Sequence, residues 1–345
     1  MRVDRGWLSE LCSLPGVSGS EQRVRDAVAA RLRPLGRRGW VDPLGSLVVH
    51  GGREDVPQVL LAAHCDEVGL LVTGHDDAGL LRIDAVGGID PRILPGAAVR
   101  VGPQRIPGGV AMPPIHLVPA DRRRRAPDLR DLRLDIGASD RRQAEAAVRI
   151  GDVAVFAGPV GPLGRLFRAK ALDDRAGLAA VVAALEAVGP DLGLGWTVAA
   201  TAQEEIGTRG AEAVAAVLDP ALVVVVETTS AADLPEIGSE RRATVLGGGP
   251  ALTRLDGGMI ADGPLTEHLA ETARRAGIPF QWKESGSGGT DGRRFQQAGL
   301  RVVTVSVPCR YLHTPCGVMD PADADAVADL LATWLRRLAE EGIAR

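Results

Sequence analysis

Aromatic residues are scarce in this sequence, since Phe, Trp and Tyr together make up 3% of its 345 residues. A chain with so few flat side chains offers little of the stacking surface on which single-stranded nucleic acids bind. The formal net charge of −4 also provides no electrostatic attraction to nucleic acid or to an anionic membrane. We therefore expect no nucleic acid and no membrane among the partners of this protein.

Cysteines and long apolar runs are scarce as well. The four cysteines, Cys12, Cys65, Cys309 and Cys316, show no metal-finger spacing. Reduced thiols are the simplest interpretation, although a Cys309–Cys316 disulfide stays open. No uninterrupted apolar stretch approaches the ~18 residues of a membrane-spanning helix, and the opening "MRVDRGWLSELC" lacks the apolar core of a signal peptide. Together these absences predict a cytoplasmic protein.

Lysine is also rare, beside abundant arginine, alanine and glycine, and we infer no function from this bias. The one basic run is "DRRRRAPDLRDLR" at 121–133. Phosphate or acidic-substrate binding is one interpretation of it. A solvated surface loop is favoured, because aspartates and a proline interrupt the run.

The order of patterns along the chain predicts an α/β fold with an insertion. The segment "SGSE" at 18–21 resembles a capping box that opens a helix. From about 70 to 163, short apolar alternations separated by Gly and Pro predict a small β-rich unit, a sandwich or a barrel. Helices and apolar strands alternate after it, which predicts a sheet covered by helices on both faces. We expect 1–69 plus 164–345 to form the main domain and 70–163 to be inserted into it.

Polar side chains stand at the carboxyl ends of the predicted strands and before one helix. They are His64, Asp66, Glu204, Glu205, Glu227 and His313 at the strands, and Asp173 and Asp174 at the helix. Sites in open α/β sheets form beyond the carboxyl ends of the strands. Two imidazoles with three or more carboxylates suit zinc, with cobalt or manganese as substitutes. The sequence therefore predicts a metal site at this edge of the sheet.

Taken singly, each of these motifs has an ordinary explanation. An Asp-Asp pair before a helix is an N-cap, a His-x-Asp holds a satisfied histidine, and a glutamate pair marks a strand reaching solvent. Neighbouring side chains in an extended segment point to opposite faces, however. Glu204 and Glu205 are therefore expected to have different roles, and the combination of motifs favours a site.

Six of these segments resemble, in their order, the TET or glutamyl-aminopeptidase family of dinuclear metallopeptidases. They are "AHCDEVG", "KALDDRAG", "QEEIGTRGA", "ETTSAADLP", "SGGTDG" and "RYLHTP". The matches span residues 12–320, and the same family includes proteins described as deblocking aminopeptidases and as endoglucanase-M-like. The resemblance implies an α/β fold with a mixed sheet sandwiched by helices, in which 70–163 is a small β-barrel-like dimerisation domain.

The resemblance also implies a site for two divalent metal ions per subunit, with zinc favoured over cobalt or manganese. Asp173 would bridge the two ions. His64 and Glu227 would complete the coordination of one ion. Glu205 and His313 would complete the coordination of the other.

Two further carboxylates take roles from the resemblance. Asp66 resembles the group that orients His64, and Glu204 resembles the general base. The sequence departs from many relatives at Glu227, where they carry aspartate, and at Asp174, where asparagine is common. Either carboxylate can bind a metal at the first position, and Asp174 is given no ligand role.

The function implied is a dinuclear metal-dependent aminopeptidase that removes the N-terminal residue of short peptides through a metal-bound hydroxide. Alternatives are an amide hydrolase dedicated to one peptide-like metabolite, and a non-catalytic peptide-binding or scaffold protein on the same fold. Arg310, Tyr311 and His116 are candidate substrate contacts, with packing or structural roles as their alternatives. The resemblance further implies a homo-oligomer, up to a tetrahedral dodecamer built from dimers.

Overall fold

A large mixed sheet with helices against it carries a small closed barrel. The computed structural model describes residues 2–121, 123–190, 192–238, 242–283 and 288–343. The helices of these residues are α1 (Arg5–Ser13), α2 (Gln22–Leu32), α3 (Arg141–Ala147), α4 (Leu172–Val188), α5 (Arg209–Ala215), α6 (Gly263–Ala276), α7 (Gly292–Gln297) and α8 (Pro321–Glu341).

Strands from both sides of the barrel segment build the large sheet. They are β1 (Gly36–Val41), β2 (Leu47–Gly52), β3 (Gln58–His64), β10 (Gly161–Leu163), β11 (Leu166–Ala169), β12 (Gly195–Thr201), β13 (Leu222–Ser230), β14 (Ala251–Thr253), β15 (Gln281–Trp282), β16 (Val302–Arg310) and β17 (Gly317–Met319). The strand order is β1-β2-β12-β3-β13-β16-β17-β11-β10, with β14 and β15 off this path.

The centre of the sheet is parallel and fully covered. β12, β3, β13 and β16 run parallel to their neighbours, whereas β2 and β17 pair with them in the antiparallel sense. β13 is buried from Leu222 to Thr229, as expected of a parallel strand with a layer on each face. α4 packs on β3 and β13, α8 on β16, and α5 and α7 contact each other and neighbouring strands. The predicted mixed sheet sandwiched by helices is confirmed.

The barrel lies between β3 and β10 in the chain. Its strands are β4 (Gly69–His75), β5 (Leu81–Val86), β6 (Ala98–Val101), β7 (Ile106–Ala111), β8 (Arg133–Asp135) and β9 (Val153–Phe156), closed in the order β4-β5-β8-β7-β6-β9. A separate apolar core fills it, including Leu70, Leu81 and Leu134. The division into 1–69 plus 164–345 and 70–163, and the dimerisation role of the insertion, stay predictions.

The predicted capping box at 18–21 is wrong. α2 begins at Gln22, and Glu21 at its N-cap makes no side-chain cap bond to the helix. Ser18 instead donates its hydroxyl to Asp66 Oδ2 at 2.6 Å. Glu21 accepts from the N–H groups of Gly19 at 2.7 Å and Gln203 at 3.1 Å. The hydrogen bond from the Ser18 hydroxyl to the charged Asp66 carboxylate is stronger than a hydrogen bond between neutral groups at a helix cap.

All four cysteines are free, so the Cys309–Cys316 disulfide left open by the sequence is not formed. Three of them are buried and Cys316 is partly exposed. None of the described helices has the length and apolar character needed to cross a bilayer.

Candidate active site

The carboxyl ends of the parallel strands bring polar side chains into one cluster. They are His64 at the end of β3, Glu204 and Glu205 after β12, Glu227 in β13, His313 after β16, and Asp173 at the start of α4. Thr201 of β12 and His64 of β3 lie opposite each other in the sheet register. The strand polarity therefore places these side chains at the edge where sites of α/β sheets form.

Asp173 lies between the two imidazoles. Its Oδ1 is 3.1 Å from His64 Nε2, and its Oδ2 is 3.3 Å from His313 Nε2. Each imidazole nitrogen faces one further carboxylate: Glu227 Oε1 is 3.3 Å from His64 Nε2, and Glu205 Oε2 is 3.1 Å from His313 Nε2. The result is two His–carboxylate groups that share Asp173.

The far nitrogen of each imidazole has its own oxygen partner. His313 Nδ1 lies 2.8 Å from the carbonyl oxygen of Gly88, and a carbonyl accepts but cannot donate. His64 Nδ1 lies 3.3 Å from Asp66 Oδ1, a contact without good hydrogen-bond alignment. With a proton on each Nδ1, the neutral rings direct their Nε2 lone pairs at carboxylate oxygens. That arrangement is repulsive unless a positive charge lies between them.

The electrostatics of the cluster show the same need for positive charge. Burial alone lowers the pKa of His313, but Asp173 and Glu205 raise it to about 11. Burial raises the pKa of Glu227 to about 8. Without a metal cation, His313 and Glu227 therefore hold protons at the positions where a cation would fit. His, Asp and Glu ligands in this mixture suit divalent metals such as zinc, so the donor set fits a metal site.

Asp66 lies behind the cluster and is fully buried. Its Oδ1 accepts from the N–H of Glu204 at 2.9 Å, and its Oδ2 accepts from the N–H of Glu205 at 3.0 Å. One carboxylate therefore holds the segment that carries the glutamates and also lies beside the ring of His64. This is the outer contact that fixes a ligand's orientation in metal sites.

Glu204 and Glu205 do not continue the strand. β12 ends at Thr201, and Gln203 takes a left-handed conformation with φ of 57°. The sequence predicted that Glu204 and Glu205 point to opposite faces of an extended strand. Both glutamates line the same cleft instead. The turn separates them instead: Glu205 faces His313, whereas no hydrogen bond of the Glu204 carboxylate occurs within the described residues. Burial, with Glu227 and Asp291 nearby, raises the pKa of Glu204 well above its ordinary value.

Comparison with known proteins identifies the family. A model of the M42 glutamyl aminopeptidase family matches residues 45–330. The chain belongs to this M42 family. It is 32% identical to a TET aminopeptidase from Thaumarchaeota archaeon SCGC AB-539-E09, with a TM-score of 0.93 over 98% of each chain. It is 30% identical to the lysyl aminopeptidase of Pyrococcus furiosus over 97% of this chain and 98% of that protein.

A third relative is the TET1 peptidase of Pyrococcus horikoshii, which is 31% identical, with a TM-score of 0.86 over 95% of this chain and 98% of that one. That protein can assemble into a tetrahedron or a large octahedral shell. As a member of the M42 family, the present chain is a metal-dependent aminopeptidase, a hydrolase of peptide bonds.

The three candidate substrate contacts of this M42 peptidase lie in different places. Tyr311 is half-exposed and lines a small pocket beside His313. Arg310 turns away from the cluster, because its guanidinium is bound to Asp233 at 2.5 and 2.8 Å. His116 lies on an exposed turn after β7 and is outside the cleft lining in the described residues.

The sequence assigned no role to two buried carboxylates near the site, Asp174 and Asp291. One oxygen of Asp174, one donor atom of His64 and one oxygen of Glu227 all lie within 4.8 Å of one another. Its Oδ1 accepts from the N–H of Gly177 at 3.0 Å, and its Oδ2 is buried without a partner in the described residues. Asp173 offers one oxygen to each imidazole, so it fits the shared position better.

Asp291 is the other buried carboxylate without a role assigned from the sequence. It accepts a hydrogen bond from the hydroxyl of Thr201, and burial raises its pKa to about 6. Three residues on, Arg294 donates to Thr208 Oγ1 at 3.0 Å and to the Gly207 carbonyl at 3.3 Å. Asp291 and α7 therefore hold both ends of the turn that carries the two glutamates. The sequence signal for Asp291 was the "GGTDG" segment, because the resemblance to the family implies that this segment lies near the site.

Proposed function

We propose that this chain is a dinuclear aminopeptidase, with Asp173 shared by two divalent cations. His64 and Glu227 hold one cation, and Glu205 and His313 hold the other. The observation that carries this proposal is the contact of each Asp173 oxygen with a different imidazole, at 3.1 and 3.3 Å. Zinc suits this donor set, with cobalt or manganese as substitutes.

When bound, such a pair of cations activates a water molecule and polarises the scissile carbonyl. Glu204 is the proposed general base, since it lines the cleft beside Glu205 and burial raises its pKa, which favours a carboxylate that accepts a proton. It takes the proton from the attacking water and gives it to the leaving amine. Asp66 keeps the His64 ring and the Glu204 backbone in place while this happens.

The proposed substrates are short peptides with a free N-terminal amine, which lies within reach of the acidic cluster. A homo-oligomer is also proposed, because the related TET1 peptidase of Pyrococcus horikoshii can assemble into a tetrahedron or a large octahedral shell. The barrel is the proposed dimerisation unit. A cytoplasmic location completes the proposal and agrees with four free cysteines.

The test is hydrolysis of aminoacyl amides and their N-acetylated controls by metal-stripped protein, with and without added Zn²⁺ or Co²⁺. Metal-dependent cleavage that requires the free amine is expected. Silence across the panel by protein that still binds two metals would favour the dedicated amide hydrolase. Glu204→Gln should keep its metal and lose at least ~100-fold in kcat, as removal of a general base does. Near-normal turnover of that variant with verified metal content would refute the base assignment.

A further inference from the structure

The segment 18–21, in which the sequence pattern predicted a helix cap, contacts the turn that carries the two glutamates of the site. Ser18 binds Asp66, and Glu21 binds the backbone of Gln203. Glu21 is only 3% exposed, and a glutamate is rarely buried this deeply without partners. Burying a carboxylate costs free energy unless hydrogen bonds replace the lost water. Helix capping does not account for this burial, because Glu21 makes no side-chain cap bond.

Three successive N–H groups of the turn point at buried carboxylates. The N–H of Gln203 donates to Glu21 Oε1 at 3.1 Å. The N–H groups of Glu204 and Glu205 donate to Asp66, at 2.9 and 3.0 Å. Successive N–H groups in a turn form a concave site for negative charge. Two carboxylates therefore hold the turn, and Glu21 holds its first residue.

The conformation of Gln203 explains why the turn needs this contact. Its φ of 57° is left-handed, where the Cβ of a residue such as glutamine lies too close to the following carbonyl oxygen. Such a conformation persists only when the surrounding structure holds it. Without an acceptor for its N–H, Gln203 is free to return to a right-handed conformation. That change would redirect the side chain of the next residue, Glu204.

Glu21 is itself held in place by its own segment. Its Oε1 also accepts from the N–H of Gly19 at 2.7 Å. Just before it, the N–H of Glu67 donates to the Gly16 carbonyl at 2.9 Å, and the N–H of Gly16 donates to Glu67 Oε1 at 3.0 Å. Burial raises the pKa of Glu21 and the nearby charge of Asp66 adds to the rise, whereas the N–H of Gly19 opposes it. The fold thus keeps two like charges close together, a pattern typical of functional sites.

Glu21 lies outside the catalytic cleft. In the described part of the chain it lines a separate groove between α2, the β1–β2 turn and the barrel, and it is not part of the cleft lining. Glu204, in contrast, lines the cleft. Any effect of Glu21 on the reaction must therefore pass through the backbone that it holds.

We propose that Glu21 is a positioning residue of this aminopeptidase. By accepting from the N–H of Gln203, it keeps the turn in the conformation that directs the Glu204 carboxylate into the cleft. This inference rests on the proposed role of Glu204 as the general base and names a residue that fixes that base in place. A catalytic group displaced by about 1 Å can cost about 100-fold in rate. Loss of the contact should therefore lower kcat.

Two variants of Glu21 test this role with leucine amide as the substrate and excess Zn²⁺. Glu21→Met keeps the length of the side chain and loses the acceptor. Its kcat should fall about 10- to 100-fold, with KM and metal stoichiometry unchanged. Glu21→Gln should recover most of the activity, because its carbonyl oxygen can still accept from the N–H groups of Gly19 and Gln203. If Glu21→Met does not fold, Glu21→Asp replaces it, since the shorter carboxylate withdraws from Gln203.

A buried carboxylate elsewhere provides the matched control. Asp323 is 1% exposed and accepts from the N–H groups of Gly247 and Gly249, at 2.8 Å each, in the loop before β14. Asp323→Leu also removes a buried acceptor of two N–H groups, but not one that holds the turn. Its kcat, measured at a temperature at which every variant is folded, should equal that of the wild type.

A double-mutant cycle separates positioning from a general structural role. If Glu21 acts through Glu204, then Glu21→Met should change kcat by about 2-fold or less in a Glu204→Gln background, because the base is already lost. An equal loss in both backgrounds would overturn the inference. So would a folded, metal-loaded Glu21→Met variant with the kcat of the wild type.

Failure of the proposed function gives a different result. Near-normal turnover by metal-loaded Glu204→Gln would remove the base assignment, and the inference about Glu21 with it. An impaired Glu204→Gln variant beside a fully active Glu21→Met variant would leave the base assignment intact and overturn the positioning role alone.

Discussion

Replacement of Asp66 by asparagine is expected to disturb more of the active site than its small change in shape suggests. The carboxylate accepts from the N–H groups of Glu204 and Glu205 at 2.9 and 3.0 Å and from the Ser18 hydroxyl at 2.6 Å. Its Oδ1 also lies 3.3 Å from His64 Nδ1. Asp66→Asn keeps the volume, removes the charge and replaces one acceptor oxygen by an NH₂ donor.

Either orientation of the new amide creates a conflict. An NH₂ in the place of Oδ2 faces the N–H of Glu205, and an NH₂ in the place of Oδ1 faces the N–H of Glu204. The second orientation also meets His64 Nδ1 with a donor, which favours the tautomer whose Nε2 carries the proton and has no lone pair for a metal. A buried donor without an acceptor costs about 1–3 kcal/mol. Loss of such an outer-shell partner lowers metal affinity about 10- to 100-fold.

We expect Asp66→Asn to lose about 2 kcal/mol in free energy of unfolding without metal and to bind metal at least ~10-fold more weakly. Denaturant unfolding and chelator competition measure the two quantities. Ser18→Ala is the control, because it removes one donor to Asp66 and leaves both backbone hydrogen bonds, so metal affinity should change little. A folded Asp66→Asn variant that binds metal as tightly as the wild type would refute the reasoning.

Other parts of the site give three further expectations. The pKa of His313 is raised to about 11 and that of Glu227 to about 8, so a metal cation that binds these residues must displace protons. Calorimetry should therefore show proton release on metal binding and a higher metal affinity as the pH rises. A metal affinity independent of pH would contradict the ligand assignment. Asp291→Ala should lower kcat about 10-fold at unchanged metal content, because the glutamate turn loses its anchor, and unchanged kinetics would remove that role. Glu67→Gln should cost about 3–5 kcal/mol in unfolding free energy, since Lys170 stays buried without its carboxylate, and denaturation showing a negligible loss would contradict this.

Strand polarity explains why the candidate ligands were predictable from the sequence. His64 is the last residue of β3, and Glu227 lies in the carboxyl-terminal half of β13. The topology brings side chains together at this edge of the sheet whatever their separation in sequence. His313 follows the next strand of the sheet. The resemblance carried by the six ordered motifs implied which of these residues would share a cation. The alternation of patterns predicted a sheet covered by helices and a β-rich insertion, a sandwich or a barrel. The mixed sheet and the barrel-like form of the insertion were implied by the resemblance to the family.

Contacts between distant segments explain what the sequence could not predict. Ser18 has the local pattern of a helix cap, but its acceptor is Asp66, which lies 48 positions away. Arg310 stands beside the site in sequence, and only the fold reveals that Asp233, 77 positions away, holds it. Partners of this kind are set by packing, which leaves no periodic signal in the sequence.

Metal stoichiometry coupled to activity tests the central claim most directly. Metal-free protein would be titrated with Co²⁺ while its visible absorption and the hydrolysis of leucine amide are followed together. The account predicts two equivalents per chain, with activity that needs the free amine of the substrate, and only one tight equivalent in a His313→Ala variant. Hydrolysis without metal, or saturation of the wild type at a single equivalent, would contradict a site in which Asp173 serves two cations.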